Sequence, residues 1–129
     1  MDFVLRPRLG FEPNADVFVD EESGQVVVAV EVAGADPESL RVAVDDRYLS
    51  ITGRRTGVAN VTPRGSFIQK EIAYGAFGKR IALPVAVDFG DVVANYADGV
   101  LVIALPISPT AYLPATRTEI RMIVKRTLT

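Results

Sequence analysis

The chain of 129 residues contains no cysteine, no histidine and no tryptophan. Without cysteine it has neither a disulfide framework nor a thiolate nucleophile. Without histidine it lacks the side chain that most often serves as general base or metal ligand near neutral pH. Five serines are present, but the chain offers no imidazole to activate a hydroxyl for nucleophilic attack. The sequence therefore predicts a protein that is not an enzyme and that needs no cofactor or metal.

Signals for membranes and secretion are also missing. The longest uninterrupted apolar run, residues 100–105, is far shorter than the roughly 18 residues that a membrane-spanning helix requires. The first residues, MDFVLRP, do not show the basic start followed by an apolar core that is typical of a secretory signal. We therefore expect no membrane span and a cytoplasmic location.

Charge is low overall but unevenly distributed. The net charge is −2, yet residues 16–106 carry 13 acidic against 8 basic residues, while residues 107–129 carry 4 basic against 1 acidic. Four basic residues without interleaved aromatics make a poor nucleic-acid signature, so we expect no nucleic-acid partner. Docking of the basic C-terminal segment on an acidic body is the better interpretation.

A β-hairpin is the clearest structural signal. Asp98-Gly99 separates two apolar runs, and Asp-Gly in such a place is typical of a tight hairpin turn. After the turn, residues 101, 103 and 105 alternate with residues 100, 102 and 104, and both sets are apolar. This pattern predicts a strand that is covered on both faces and that ends at Pro106.

The remaining elements are also predicted to be strands. We expect them at residues 16–20, 25–33, 40–45, 48–54, 67–74 and 79–83, with a bend at 75–78. Strands at this spacing, without a helical pattern, predict an all-β, immunoglobulin-like antiparallel β-sandwich. The expected organisation is an N-terminal arm at residues 1–15, the sandwich at 16–106 and a C-terminal extension at 107–129.

The arm is short but rich in large apolar side chains. These need burial against the domain, a sister subunit or a client protein, and they are Phe3, Val4, Leu5, Leu9 and Phe11.

Several motifs, in the expected order, resemble the α-crystallin domain of bacterial small heat-shock proteins. Ala94, Gly99, Val100 and Leu101 match the family signature A-x-x-x-x-G-V-L. The other matching segments are Pro13 with Asp16-Val17, residues 30–34 (VEVAG), residues 49–55 (LSITGRR), and residues 74–77 (YGAF) with Arg80 and Leu83-Pro84. The resemblance covers about residues 13–106.

This resemblance implies an ATP-independent holdase that binds partly unfolded client proteins and limits their aggregation under stress. It also implies a homodimer, and larger oligomers, in which the long loop after residue 54 supplies a strand to the neighbouring subunit. The residues implied in this exchange are Val58, Ala59, Asn60, Val61 and Thr62.

The family's C-terminal extension docks an Ile-x-Ile motif into a groove on a neighbouring domain. The corresponding residues here are Ile120, Met122 and Val124, and the implied groove residues are Leu40, Val42, Val44, Ala94 and Tyr96. Period-two spacing lets alternate side chains enter one groove. The alternative is that residues 119–126 form an extra strand on their own domain.

Two other functional classes remain open at this point. A CS-domain-like co-chaperone would share the sandwich but would lack the exchanged strand. An extracellular immunoglobulin-like or carbohydrate-binding module is disfavoured by the missing secretory signal and by the absence of tryptophan.

Overall fold

Nine β-strands are found in the computed structural model, which describes residues 10–45, 47–57, 64–108, 118–120 and 122–124. Their bounds, in chain order, are β1 Ala15–Asp20, β2 Gln25–Glu31, β3 Arg41–Asp45, β4 Tyr48–Arg55, β5 Gly75–Ala82, β6 Val93–Ala97, β7 Val100–Pro106, β8 Thr118–Ile120 and β9 Met122–Val124. Single 3-10 turns lie at Pro37–Ser39 and Phe89–Asp91. Within these ranges no helix has the length and apolar character needed to cross a membrane.

The strands form two sheets. The five-stranded sheet has the order β1-β2-β7-β6-β9, and the four-stranded sheet has the order β5-β4-β3-β8. All pairs are antiparallel except β6 with β9, which is parallel. The predicted all-β antiparallel sandwich is confirmed.

Alternation along the strands builds the core between the sheets. Inward-facing residues of both sheets are buried because successive side chains of a strand point to opposite faces. In the five-stranded sheet these residues are Val26, Val28, Val30, Leu101, Ile103 and Leu105, and in the four-stranded sheet they include Leu49 and Ile51. These apolar side chains supply the main driving force for folding.

The predicted hairpin is confirmed. Ala97 pairs with Val100 across a two-residue turn in which Asp98 and Gly99 have φ of 54° and 79°. Both values lie in the left-handed region, which a two-residue hairpin turn of this kind requires. A Cβ at Gly99 would also come within 3.0 Å of the Cβ of Ala33.

The expected cover on both faces of β7 is wrong for the described part of the chain. Val102 is exposed, and Val100 and Ala104 are only half-buried. The inward-facing residues of β7 are buried, whereas its outward face is partly open to solvent in the described part of the chain.

The strand predicted at residues 67–74 and the bend predicted at 75–78 are also wrong. Residues 67–74 have no strand pairing, and β5 begins at Gly75 instead. Phe67, Ile68 and Ile72 are exposed, so their β-propensity is not supported by core packing. Gly78 lies within β5, opposite Thr52, and carries no bend.

Candidate functional site

The C-terminal segment lies along the edges of both sheets. β8 pairs antiparallel with β3 through Val42 opposite Ile120 and Val44 opposite Thr118. Two residues later, β9 pairs parallel with β6, and Ala94 is opposite Met122. The segment therefore passes from one sheet to the other at one side of the sandwich, on its own domain.

The strands that the tail pairs with, β3 and β6, contain the predicted groove residues. Val42, Val44, Ala94 and Tyr96 belong to the core cluster, and Ile120 is a half-buried side chain that packs against it. Tail pairing in this arrangement uses the backbone edges of these strands. Leu40, also predicted, is buried just before β3 and outside the tail pairing.

Tyr96 has a polar role that the sequence did not indicate. Its hydroxyl donates a buried hydrogen bond to the carbonyl oxygen of Val32 at 2.8 Å. The same oxygen accepts a bond from the backbone N–H of Ala35 at 3.1 Å. The tyrosine thereby ties β6 to the segment that follows β2.

The family-signature residues have structural positions. Ala94 and Leu101 are fully buried, and Gly99 occupies the left-handed position of the hairpin turn. Val100, which pairs with Ala97, is half-buried on the outward face. The signature thus describes the β6–β7 hairpin.

The five-stranded sheet has an apolar edge at β1. Within the described residues β1 pairs with β2 only, and its other side has no strand partner. Val17, Phe18 and Val19 are 41%, 54% and 40% exposed. An unpaired apolar edge of this kind is a template for pairing with another chain. The residues predicted for strand exchange, 58–62, lie outside the described residues.

Phe11 is the only one of the five predicted apolar arm residues within the described part, and it packs on its own domain. Its ring lies 5.3 Å from that of Phe77, and its N–H donates to the carbonyl of Ala76 at 3.4 Å. Next to it, Glu12 forms a 2.7 Å ion pair with Lys79 of β5. Phe3, Val4, Leu5 and Leu9 lie outside the described residues.

Arg55 contacts three segments that are distant from it in sequence, and the sequence analysis did not predict this role. Its guanidinium lies 4.3 Å from the ring centre of Phe11. It donates to the carbonyl oxygens of Ala33 and Ala73, with Nε 3.0 Å from the latter. In the sequence, Arg55 stood out only as the last residue of the family-like segment 49–55 (LSITGRR).

The described residues contain no group of three or more acidic side chains that could hold a metal ion. Hydrogen bonds from the Ser23 side chain and from backbone N–H groups lower the pKa of the Asp20 carboxyl group. Exposed sheet edges and apolar surface, which suit protein binding, are the features that stand out.

Comparison with known proteins places these features in a family context. The family model described as "Hsp20/alpha crystallin family" matches residues 18–121 of the chain. The chain is 35% identical over 92 residues to the 19.0 kDa class II heat shock protein of Oryza sativa subsp. japonica, which covers 67% of this chain and 53% of the rice protein. It is 32% identical over 106 residues to Alpha-crystallin of Mycobacterium tuberculosis, covering 81% of this chain and 69% of that protein.

Solved structures share the fold. Heat shock protein 16.0 from Schizosaccharomyces pombe has a TM-score of 0.71 at 27% identity, covering 78% of this chain and 70% of that one. The hspA of Xanthomonas axonopodis has a TM-score of 0.64 at 32% identity, covering 78% and 98%. The match spans about half the length of the rice relative.

Proposed function

Because this chain belongs to the Hsp20/alpha crystallin family, we propose that it is an ATP-independent holdase chaperone of the cytoplasm. It would bind partly unfolded clients and limit their aggregation under stress. The observation that carries the proposal is the apolar surface on the outer face of the five-stranded sheet, where Phe18, Val93 and Val102 are exposed. Binding of exposed apolar segments lowers the concentration of free unfolded protein by mass action. The family match disfavours both the CS-domain-like co-chaperone and the carbohydrate-binding module.

Suppression of aggregation is the direct test. We expect the purified protein to reduce heat-induced light scattering of a thermolabile client enzyme near a stoichiometric ratio, with and without ATP. An equal mass of an inert globular protein serves as the control. A requirement for ATP, or scattering equal to that of the control, would contradict the proposal.

We further propose that a homodimer forms by strand exchange through residues 58–62, with β1 of the partner as the acceptor. Among the described strands none pairs with the outer side of β1, and pairing there would cover exposed Val17 and Val19. The combined substitution Ala59→Pro and Val61→Pro removes two backbone donors and should yield monomers at micromolar concentration. Ala59→Ser with Val61→Thr keeps the donors and should remain dimeric, as judged by light scattering. A dimeric proline variant would contradict the exchange.

We also propose that the tail docks between copies. The edges of β3 and β6 that hold β8 and β9 within one chain are equally suited to the same segment of a second chain. Ile120, Met122 and Val124 are the proposed docking residues. The arm residues Phe3, Val4, Leu5 and Leu9 are proposed to bind clients or neighbouring subunits.

A further inference from the structure

Charge is segregated between the two sheets. No lysine or arginine occurs in residues 9–40 or 81–116, and these ranges contain β1, β2, β6 and β7. Acidic residues are present on the same strands, namely Asp16 and Asp20 on β1 and Glu31 on β2. The five-stranded sheet therefore carries negative charge without a compensating cation on these four strands.

The four-stranded sheet differs in having basic residues on its outer face. Arg80 lies opposite Ser50, and Arg54 lies two strand positions after Thr52 on the same side of β4. This side faces away from the core because the intervening residues of β4, Leu49 and Ile51, are buried. Both arginines are exposed, so this outer face carries cations, whereas β1, β2, β6 and β7 carry none.

An apolar stripe runs across the outer face of the five-stranded sheet. The strand register places Phe18 beside Val27, Val27 beside Ala104, and Ala104 beside Val93. The next row adds Ala29 beside Val102. Phe18, Val93 and Val102 are 54%, 42% and 39% exposed. We name these six residues the outer stripe: Phe18, Val27, Ala29, Val93, Val102 and Ala104.

The acidic side chains lie next to the outer stripe. Asp16 precedes Phe18 by two positions on the same face of β1, and Asp20 follows it by two. Glu31 occupies the corresponding place after Ala29 on β2. Asp16 and Glu31 are exposed. A ligand for this surface therefore has to be apolar at its centre and positively charged at its flanks.

A second copy of the chain does not meet these requirements at the same face. We call the three acidic residues beside the stripe, Asp16, Asp20 and Glu31, the acidic rim. Two outer stripes packed against each other would bring the acidic rims of both copies together, and like charges across an interface oppose binding. The C-terminal segment is also unsuited, because β9 pairs beside β6 in the plane of the sheet rather than over it.

The N-terminal arm is held elsewhere at its point of entry. Phe11 packs against Phe77, and Glu12 pairs with Lys79. Both partners belong to β5, the edge strand of the other sheet. Among the elements of known position, none supplies the complementary charge.

We propose that the outer stripe binds client segments that are apolar at the centre and flanked by lysine or arginine. This inference rests on the proposed holdase function, since it names the chemistry of the client segments that this face selects. Four strands at about 4.8 Å spacing make the stripe about 15 Å wide, which an extended segment of about five residues crosses. Attraction by the acidic rim should weaken with salt because the acidic groups are exposed.

Two fluorescent peptides test the charge preference. Both have the same five-residue apolar centre, flanked on each side by two lysines in one and by two glutamates in the other. Fluorescence anisotropy with the full chain at low salt should show at least tenfold tighter binding of the lysine peptide. Phe18→Ser with Val102→Ser should weaken that binding at least tenfold.

Charge reversal on the rim gives the sharper readout. Asp16→Lys with Glu31→Lys should remove the preference for the lysine peptide and favour the glutamate peptide. Arg54→Glu, a charge reversal on the opposite outer face, is the matched control and should leave the preference unchanged. Circular dichroism confirms that each variant is folded.

Three outcomes would overturn the inference. These are equal binding of both peptides, binding that appears only after deletion of residues 1–9, and loss of self-association on Val102→Ser alone, since β7 lies away from the proposed exchange at β1. The second would identify the arm as the occupant, and the third would identify another copy of the chain. If the peptides are not distinguished but aggregation is still suppressed, the inference fails and the holdase function stands. If the peptides are distinguished and aggregation is not suppressed, the holdase function fails.

Discussion

The substitution Tyr96→Phe tests how β6, one of the two strands that hold the tail, is fixed to the domain. The Tyr96 ring is 8% exposed, and phenylalanine keeps its packing while removing the hydroxyl. The acceptor of the lost bond, the carbonyl oxygen of Val32, is part of the backbone and remains buried beneath the strand.

The size of the effect follows from the second bond to that oxygen. A buried acceptor left without any partner would cost about 1–3 kcal/mol, whereas a typical hydrogen bond contributes a net 0.5–1.5 kcal/mol. The carbonyl oxygen of Val32 retains the bond from the N–H of Ala35. The energy of a typical hydrogen bond therefore applies, rather than the larger cost of an unpaired buried acceptor. We expect a loss of about 1 kcal/mol in the free energy of unfolding, or about 4 °C in Tm for a chain of this size.

Urea denaturation at one fixed protein concentration is the appropriate assay, because self-association makes apparent stability depend on concentration. Tyr48→Phe is the matched control: its ring lies 3.8 Å from the Arg80 guanidinium, a contact that phenylalanine retains. The control should change stability by less than about 0.5 kcal/mol, as surface substitutions commonly do. A loss above about 3 kcal/mol for Tyr96→Phe, or no loss at all, would refute the reasoning.

Two further predictions concern the core and the tail. Gly53→Ala should destabilise the fold by about 1–3 kcal/mol in the same assay, because its Cβ would collide with the Phe77 ring and lie 2.9 Å from the Leu40 side chain. Stability equal to that of the wild type would contradict this prediction. Deletion of all residues after Pro114 should leave a folded dimer and abolish larger species in light scattering. Unfolding of the truncated chain would instead identify the tail as a required part of its own domain.

The parts of the fold that could be predicted are those determined by local chemistry. The Asp98-Gly99 turn needs two left-handed residues, and its flanking strands alternate in a way that fixes which side chains enter the core. The strand prediction at residues 67–74 was wrong because β-propensity depends on what a strand packs against. Phe67 and Ile68 are exposed, so the apolar pattern there does not describe a core face.

The outer stripe was harder to predict because it depends on contacts between residues that are distant in sequence. The gaps in lysine and arginine at 9–40 and 81–116 are visible in the sequence, but they acquire meaning only when β2 and β7 become neighbours. Pairing of Val27 with Ala104 joins residues 77 positions apart and merges both gaps into one acidic, apolar face. No local pattern specifies such a pairing, whereas each strand's alternation does specify which of its side chains this face receives. The charge preference proposed for the outer stripe is therefore a property of the topology, and it can be tested without changing a core residue.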